Sequence, residues 1–504
     1  MFELIKAYCY CTSFLLIGLL LFLKCAKNVK TFTSDIRLIT LLVFSQAVAF
    51  LSPSILAYNI VALLIVPIFA TSRRLIAPIY IFTIFTLPLL SVVLHSGGIY
   101  LLSYDVGISL TLGALAALLI RGDGRHAQSL KWDASVFLLV VLFVLTTGRG
   151  STVTNLVRLL VEQSLQLLGP YYVISRSIRS RDDLESAVYG LVAAGAALSM
   201  LAVFEAVHTW PLYRITWSHY GIPLGSGSSV KLRGGLLRSP GPYPEPTSFA
   251  FVLTIAFLAA YIFSDLFKSK GKHLALLALM TVGLCAPQSR GAWIGALIGM
   301  AAYQTYQRRY AVLGSQLFYV ALGLVGLVAT SLFSPKLNSI LNVYGDLKIS
   351  KDYRADLLTR GVEEVMKYPV LGRPVPDVMF ALRDLTQGEG IVDFVNSYLF
   401  VSLIGGLVGL TVLITALGVP MLATWRLRRR ILFMRTNGSA AAFAFSVASS
   451  VVVMLGFTSL GGRTTTMLIV VVALMSIVLN EAAKLRLKRP ADKTDQPVAI
   501  PEAG

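Results

Sequence analysis

Long runs of apolar residues recur along the whole chain, and short polar or basic segments separate them. Many runs approach the roughly 20 residues that a helix needs to cross a bilayer. We therefore expect an all-α polytopic membrane protein. Several runs are short and could merge, so the expected number of transmembrane helices is about 12–15. The apolar runs are Leu4–Leu23, Ile36–Leu51, Ser54–Ala70, Leu75–His95, Ile99–Ile120, Asp133–Thr147, Asn155–Ile174, Leu184–Val207, Thr247–Phe267, His273–Ala286, Ala292–Tyr306, Ala311–Phe333, Val395–Leu422, Ser439–Leu460 and Thr464–Asn480.

The overall composition agrees with a membrane protein. Hydrophobic residues occupy 56% of the 504 positions and charged residues only 14%, with a mean hydropathy of +0.74, whereas a soluble domain has roughly 25% charged residues. The net charge of +19 could suggest a nucleic-acid partner. The basic residues lie in short clusters between the apolar runs, however, so we expect no nucleic acid. The four cysteines form no metal-ligand pattern.

The basic clusters fall on alternate connections between the predicted spans. By the positive-inside rule these connections lie in the cytoplasm, which places the N-terminus outside and the C-terminus inside. The clusters are Lys24/Lys27/Lys30, Arg73/Arg74, Arg121/Arg125/Lys131, Arg176/Arg179/Arg181, Lys268/Lys270/Lys272, Arg308/Arg309, Arg426/Arg428/Arg429/Arg430 and Lys484/Arg486/Lys488/Arg489.

Two of the outer connections, residues 208–246 and 334–394, are too long to be simple connectors. In the second one, apolar positions between Leu357 and Met366 follow a helical period that Pro369 ends, and Arg360 could pair with Asp356 or Glu364 on the polar face. We divide the chain into N-terminal transmembrane helices (1–183), a second membrane domain with both long loops (184–480), and a basic, disordered cytoplasmic tail (481–504).

Arginines on short outer loops are unexpected, because the positive-inside rule disfavours basic residues on the outer side. Arg149, Arg290 and Arg463 each have a glycine beside them, and glycine lets a ligand approach the backbone closely. Arg290 and Arg463 also precede the N-terminal ends of spans, where the helix dipole favours an anion. A guanidinium can engage two phosphate oxygens at once. The alternative is that each arginine reaches lipid headgroups or caps a neighbouring helix.

The first long loop carries further candidates in a proline-rich segment that re-enters the membrane. Its four prolines restrict the backbone around Arg233, Arg238 and Glu245. Glu245 could be a general base, or it could simply pair with Arg238. Tyr243 and Phe249 could stack on sugar rings, although aromatic residues are common at membrane interfaces.

These motifs together resemble the bacterial O-antigen ligase and polymerase family of membrane enzymes. Each block alone is degenerate, but their order, spacing and common side make the combination more specific. The resemblance covers residues 184–480. Its blocks are Arg233-Gly-Gly-Leu-Leu-Arg-Ser-Pro240 with residues 245–250, Ser289-Arg-Gly-Ala-Trp-Ile-Gly295, the stretch from Arg354 to the Pro-Val-Leu-Gly372 turn, and Asn396-Ser-Tyr-Leu399 followed by Gly405-Gly-Leu-Val-Gly409.

The resemblance implies a membrane glycosyltransferase fold of the C type and a set of functional residues. Arg290 would stabilise the diphosphate leaving group together with Arg233, Arg238, Arg354, Arg360 and Arg463. Ligases of the family carry a histidine immediately before the Asn-x-Tyr-Leu block, implied to be the base that activates the acceptor hydroxyl. This chain has Val395 there, and valine cannot take a proton. The remaining base candidates are Asp393, Glu389, Asp377 and Glu245.

The missing histidine favours a polymerase that joins polyprenyl-diphosphate-linked repeat units into a surface polysaccharide at the periplasmic face of the bacterial inner membrane. We expect no metal or other cofactor, membrane lipids as surroundings, and a chain-length regulator and a flippase as possible partners. One alternative is a ligase that transfers glycan to a lipid-A core or a protein. A transporter of lipid-linked sugar is another, but it predicts charged residues along the middle of spans, and only Arg158 and Glu162 hint at this. A non-enzymatic scaffold would not require arginines on one side.

Overall fold

The computed structural model describes residues 1–27, 35–97, 99–122, 132–222, 230–233, 235–333, 345–386, 392–433, 438–458 and 462–487. The base candidate Glu389 lies outside the described residues, and so does the predicted tail from residue 488 onwards.

Helices account for 79% of the structure. The first part of the chain contains α1 (Phe2–Cys25), α2 (Asp35–Leu51), α3 (Ile55–Phe69), α4 (Arg73–Thr86), α5 (Val106–Arg121), α6 (Asp133–Thr147), α7 (Val153–Gln163), α8 (Gly169–Ser177) and α9 (Arg181–His208). The second part contains α10 (Arg214–His219), α11 (Pro246–Ile262), α12 (Lys270–Cys285), α13 (Arg290–Tyr306), α14 (Tyr310–Phe333), α15 (Gly345–Lys367), α16 (Val375–Ala381), α17 (Ser397–Phe433), α18 (Gly438–Met454) and α19 (Gly462–Leu487).

Several of these helices can cross a membrane, which confirms the all-α polytopic class. Within the described residues, four helical segments have the necessary length and apolar composition: Phe2–Cys25, Arg181–His208, Ser397–Arg428 and Ser439–Phe457. Seven shorter apolar helices accompany them: Ile36–Leu51, Ile55–Phe69, Val106–Arg121, Asp133–Thr147, Pro246–Ile262, Tyr310–Gly323 and Leu468–Asn480. The expected number of spans stays a prediction.

The two spans predicted as Leu75–His95 and Ile99–Ile120 are wrong where they adjoin. The apolar run that starts at Leu75 is helical only to Thr86, and an antiparallel hairpin of β1 (Ser91–Ser96) and β2 (Ile99–Asp105) follows. Pro88 explains the break, because proline pushes the residue before it into extended backbone. Leu87 has φ −91° and ψ 142°. The second helix of the pair starts only at Val106, where the Asp105 side chain accepts a hydrogen bond from the Ile108 amide at 2.8 Å.

The long helix α9 lies at the centre of the bundle and packs against α1, α4, α11 and α12. Its sequence is rich in alanine and glycine, which permit close approach between helices. A Cβ atom on Gly195 would lie only 2.3 Å from the Cβ of Ala256. One apolar core extends from Leu4 to Val478, so the two membrane domains assigned from the sequence share it. The boundary between them stays a prediction.

Loops that carry basic clusters contact one another at one end of the bundle. Lys268 Nζ donates to the carbonyl oxygen of Leu23 at 3.4 Å, and Arg73 lies 3.1 Å from the Asp183 carboxylate. We call this end the basic end. Because α12 begins there at Lys270 and ends at Cys285, the turn after Cys285 lies at the opposite end, which we call the site end.

At the site end, α15, α16 and the first turns of α17 share a second apolar cluster. The helix predicted in the second long loop is confirmed as α15, which ends at Lys367, before Pro369. Gly361 of α15 lies against Leu399 of α17, where an added Cβ would be 2.8 Å from the leucine side chain. The cluster consists of Leu357, Val378, Leu382, Val392, Phe394, Leu399, Leu403 and Ile404.

The turn after α15 docks onto a kink in α17. Gly406 has φ 61° and ψ −161°, which interrupts the helix, and the amide of Leu407 donates to the carbonyl of Pro369 at 2.8 Å. Gly372 has φ 65°, and its neighbour Arg373 donates its amide to the carbonyl of Leu403 at 2.9 Å. Two blocks of the family resemblance therefore form one contact between the long loop and the membrane helix.

Candidate functional site

Two arginines of the first long loop are held against the turn that precedes α13. Arg233 lies on β3 (Leu232–Arg233), and its NH1 donates to the carbonyl of Gln288 at 3.2 Å. Arg238 directly follows β4 (Leu236–Leu237), and its Nε donates to the carbonyl of Pro287 at 3.3 Å. The hairpin of the first long loop is thus fixed to the residues just before Arg290.

Gln288 has an uncommon backbone conformation in this turn. Its φ is +53°, a left-handed value that costs a non-glycine residue roughly 1–2 kcal/mol. The amide oxygen of its side chain is buried, and within the described residues it has no hydrogen-bond partner. Strained backbone and an available acceptor are typical of functional sites. No sequence signal singled out this residue.

Arg290 is the first residue of α13, and the glycines after it bring this helix close to α18 and to the turn that follows α18. An added Cβ on Gly291 would lie 2.5 Å from Phe457 Cβ, and one on Gly295 would lie 2.4 Å from Met454 Cγ. The glycine beside Arg290 is therefore required by helix packing. This corrects the interpretation that it opens the backbone to a ligand, because Phe457 occupies that space.

The long helix α15 brings a further arginine to the site end. Tyr353 ties this helix to the segment before α17: its hydroxyl donates to the backbone carbonyl of Asp393 at 3.1 Å and accepts from the Asp393 amide at 3.0 Å. Arg354 is the next residue of α15. The same contact therefore positions both Arg354 and the half-buried Asp393.

The four arginines Arg233, Arg238, Arg290 and Arg354 form what we call the arginine cluster. Burial, together with the charges of Arg233, Arg354 and Arg290, lowers the pKa of Arg238 to about 10, against the opposing effect of Asp393. Partial desolvation also lowers the pKa of Arg354, where Asp393 acts to raise it and Arg290 to lower it. An anion bound here would relieve the repulsion between the arginines.

A carboxylate at the end of α9 holds the first long loop in place. Glu205 is fully buried and accepts hydrogen bonds from the amide of Leu212, the hydroxyl of Ser239 and the amide of Gly241, at 3.0, 2.6 and 3.0 Å. The sequence analysis missed Glu205, although a lone carboxylate in an apolar span is itself a signal. It fixes the segment that carries Arg238.

Glu245 lies at the other end of this segment. It precedes α11 directly, and its carboxylate accepts from the hydroxyl of Thr247 at 3.3 Å. Within the described residues, no three His, Cys, Asp or Glu side chains come together as a group that could hold a metal ion. At the site end, the Arg233, Arg238, Arg290 and Arg354 side chains supply guanidinium groups, and Asp393 and Glu245 supply carboxylates as base candidates.

The sequence was compared with those of known protein families. A family model described as O-antigen ligase matches residues 275–414. Over these residues, the chain is similar to the O-antigen ligase family. The matched residues include Arg290, Arg354 and Asp393, and they support a membrane enzyme of the O-antigen ligase or polymerase type, which transfers glycosyl groups. No curated protein matches the chain.

Within the matched residues, the Asn396 block anchors α17. The Asn396 side chain accepts from the amides of Tyr398 and Leu399 at 3.0 and 3.3 Å, which caps the helix. Ser397 donates its hydroxyl to the carbonyl of Thr458 at 2.6 Å. Val395 packs against the apolar cluster of α15 and α17.

The other predicted arginines have different surroundings. Arg149 donates to the carbonyls of Leu371 and Gly372 at 2.5 and 2.9 Å, so it supports the turn that docks on α17. Arg360 is exposed and pairs with Asp384, whereas the sequence suggested Asp356 or Glu364 as partners. Arg463 lies in the first turn of α19, and its side chain lies outside the described part of the structure. The base candidate Asp377 lies in the first turn of α16.

Proposed function

We propose that the protein polymerises polyprenyl-diphosphate-linked repeat units into a surface polysaccharide, such as an O-antigen or an exopolysaccharide. The observation that carries this proposal is the arginine cluster. Its members come from three separate segments, the first long loop, the start of α13 and α15, and they lie close enough for their charges to interact. So many like charges at one place favour an anion with several oxygens, and a diphosphate has them.

The proposed reaction is glycosyl transfer between two lipid-linked glycans. The acceptor hydroxyl of one repeat unit attacks the anomeric carbon of the growing glycan, and the bond from that carbon to the diphosphate oxygen breaks. The lipid diphosphate leaves with the electron pair, and the acceptor proton goes to a base. The arginine cluster stabilises the charge that develops on the leaving oxygen, a role that a metal ion fills in other enzymes.

Asp393 is our first candidate for the base. It lies in the segment just before α17, within electrostatic range of Arg238 and Arg354, and hence beside the proposed leaving group. Its backbone is clamped on both sides by the Tyr353 hydroxyl. Glu245 is the second candidate, because its segment also carries Arg238.

We further propose that the site end faces the periplasm and that the protein lies in a bacterial inner membrane. The distribution of basic residues supports this orientation, since loops with basic clusters contact one another at the basic end. Lipid-linked repeat units would then come from a flippase, and a regulator of chain length would be a further partner.

The test of the proposed function is Arg290→Ala in cells that depend on this protein for polymer. We expect long-chain polysaccharide to disappear, with turnover reduced about 100-fold or more, because one stabilising donor is lost from the transition state. The matched control is Arg383→Ala, which removes an exposed arginine of the second long loop that lies over Phe380. Both variants should reach wild-type levels in the membrane. Full-length polymer from Arg290→Ala would refute the arginine-centred mechanism.

A ligase is the second candidate, because the family model that matches residues 275–414 is described as O-antigen ligase. Analysis of accumulated products in a deletion strain separates the two reactions. Loss of a polymerase leaves single repeat units on the lipid carrier, whereas loss of a ligase leaves full-length chains that are not attached to a lipid-A core or a protein. Accumulation of full-length chains would assign the ligase reaction.

A further inference from the structure

A pocket opens beside the arginine cluster, between α10 and the proline-rich segment of the first long loop. The open space within it, counted together with the solvent at its mouth, is about 470 Å³. Arg214 and Trp217 of α10 line one side, and Lys231, Arg238 and Tyr243 line the other. The proposed transfer reaction uses only Arg238 of these five residues. The others have no role in it.

The walls of this pocket are fixed by buried hydrogen bonds. Tyr213, which precedes α10, donates to the side-chain oxygen of Gln46 at 2.7 Å. On the other wall, the hydroxyl of Tyr243 donates to the carbonyl of Phe85 at 2.8 Å. Glu205 joins the two walls, because it binds the amides of both Leu212 and Gly241. A ligand therefore meets a preformed site, which lowers the entropic cost of binding.

The pocket is positively charged and has aromatic walls. Of the described lining residues, Arg214, Lys231 and Arg238 are cationic and none is acidic. Trp217 is half-buried and packs partly against the main apolar core, and it lines the pocket with an aromatic ring, the kind of group on which a sugar ring can stack. Cationic side chains bind carboxylate or phosphate oxygens by charge-assisted hydrogen bonds.

We propose that this pocket binds an acidic sugar of the lipid-linked glycan, a sugar that carries a carboxylate or a phosphate group. The proposal rests on the proposed function, because that function brings the glycan to the site end. Arg238 belongs to both the pocket and the arginine cluster, so the bound sugar lies next to the diphosphate. Trp217 favours a sugar over a second diphosphate, since a diphosphate offers no ring to stack.

The test is direct binding to the full chain in phosphatidylcholine nanodiscs, at a fixed salt concentration of about 0.15 M so that long-range attraction is screened. The probes are tetragalacturonate and its methyl ester, which has the same rings without the charges. We expect tetragalacturonate to bind about tenfold more tightly or better, since hydrogen bonds to charged groups are the stronger ones. Arg214→Gln should abolish this preference and Arg214→Lys should keep most of it. Trp217→Ala should weaken both probes.

Several outcomes would overturn the pocket assignment. One is equal binding of tetragalacturonate and its methyl ester to the wild-type protein. Another is an unchanged preference for tetragalacturonate over the ester in Arg214→Gln. A third is that inorganic pyrophosphate displaces tetragalacturonate from the wild-type protein but not from Arg214→Gln. Arg383→Gln is the control for unspecific charge effects. Arg290→Ala separates this proposal from the proposed function. We expect it to bind tetragalacturonate normally while it makes no polymer, and if it does make polymer, the transfer mechanism fails while the binding result stands.

Discussion

The single side chain of Arg238 belongs to both proposed binding sites, the one for the diphosphate and the one for the acidic sugar. Its Nε is held by the carbonyl of Pro287, while its charge acts on the arginine cluster and on the pocket of α10. Burial and its arginine neighbours lower its pKa to about 10, and an anion would reverse part of this shift. Binding of a diphosphate is therefore favoured by the repulsion that the free protein carries.

Substitution of Arg238 by lysine should make activity sensitive to moderately alkaline pH. Lysine has an ordinary pKa of about 10.4, roughly two units below that of arginine, and the same burial and the same neighbouring charges would lower it further. As pH rises, the Arg238→Lys variant loses its cation, and with it diphosphate binding, before the wild type does. The measurement is the ratio of variant to wild-type turnover between about pH 7 and pH 9. A ratio that stays constant over this range, as expected for Arg383→Lys, would contradict the assignment.

Asp393 offers a second prediction at this scale. If its carboxylate takes the acceptor proton, Asp393→Asn should reduce turnover by about 100-fold or more, because asparagine cannot act as a base. The hydrogen bonds to Tyr353 involve only the backbone of Asp393, so the fold should be retained. Unchanged turnover would eliminate Asp393 as an essential base, and a parallel Glu245→Gln variant would then test the second candidate.

At the level of residues, the sequence predicted candidate arginines but not the groups that they contact. Arg290 stands out by topology and by the family resemblance, and Arg233 by the resemblance. Arg149 stands out by topology as Arg290 does, yet it binds the carbonyls of Leu371 and Gly372. A sequence position cannot distinguish these cases, because the partner carbonyls lie more than two hundred residues away along the chain.

The kinked helix α17 and the turn after α15 are the elements that attach the second long loop to the membrane bundle. The turn fits because each of the two segments has a glycine at the point of contact. A Cβ on Gly372 would lie 2.4 Å from the carbonyl oxygen of Leu403, and one on Gly406 would lie 2.3 Å from that of Val370. The position of α15, and therefore of Arg354, depends on this contact.

Gly372→Ala should displace α15 and reduce activity together with stability. The left-handed φ of 65° alone costs alanine roughly 1–2 kcal/mol, and the obstructing atom belongs to the backbone, which cannot rotate away. We expect a lower midpoint of thermal inactivation and a large loss of polymer. The matched control is Gly418→Ala on α17, where an added Cβ meets nothing within 4 Å. Equal behaviour of the two variants would show that the turn does not position α15.

Among the elements, the apolar runs predicted most helices because a span must satisfy its own backbone hydrogen bonds. The run Asp133–Thr147 coincides with α6. The prediction failed between Leu87 and Asp105, where Val92, Val93 and Leu94 suit a strand as well as a span. The break at Pro88 was visible in the sequence, but the pairing of Ser91 with Asp105 depends on the second strand and not on local pattern.

At the scale of the whole molecule, the central helix α9 connects the membrane core to the site end. It is buried by α1, α4, α11 and α12 along its length, so its end is a rigid reference point. Glu205 uses this position to hold both walls of the pocket and the segment of Arg238. The bundle thereby fixes a loop whose own secondary structure in the described part consists only of α10 and two-residue strands.

Glu205→Gln should loosen the first long loop without unfolding the bundle. One oxygen of Glu205 accepts from the amide of Leu212, and the other accepts from Ser239 and from the amide of Gly241. A glutamine can supply only one such oxygen, and its NH₂ group would face another donor, which leaves a buried N–H without an acceptor at a cost of about 1–3 kcal/mol. We expect a lower midpoint of thermal inactivation and reduced turnover, because Arg238 loses its support.

The control is Glu185→Gln, which removes an i,i+4 pair with Arg181 on the same helix and should change stability by only a few tenths of a kcal/mol. If Glu205→Gln behaves like this control, α9 does not hold the site.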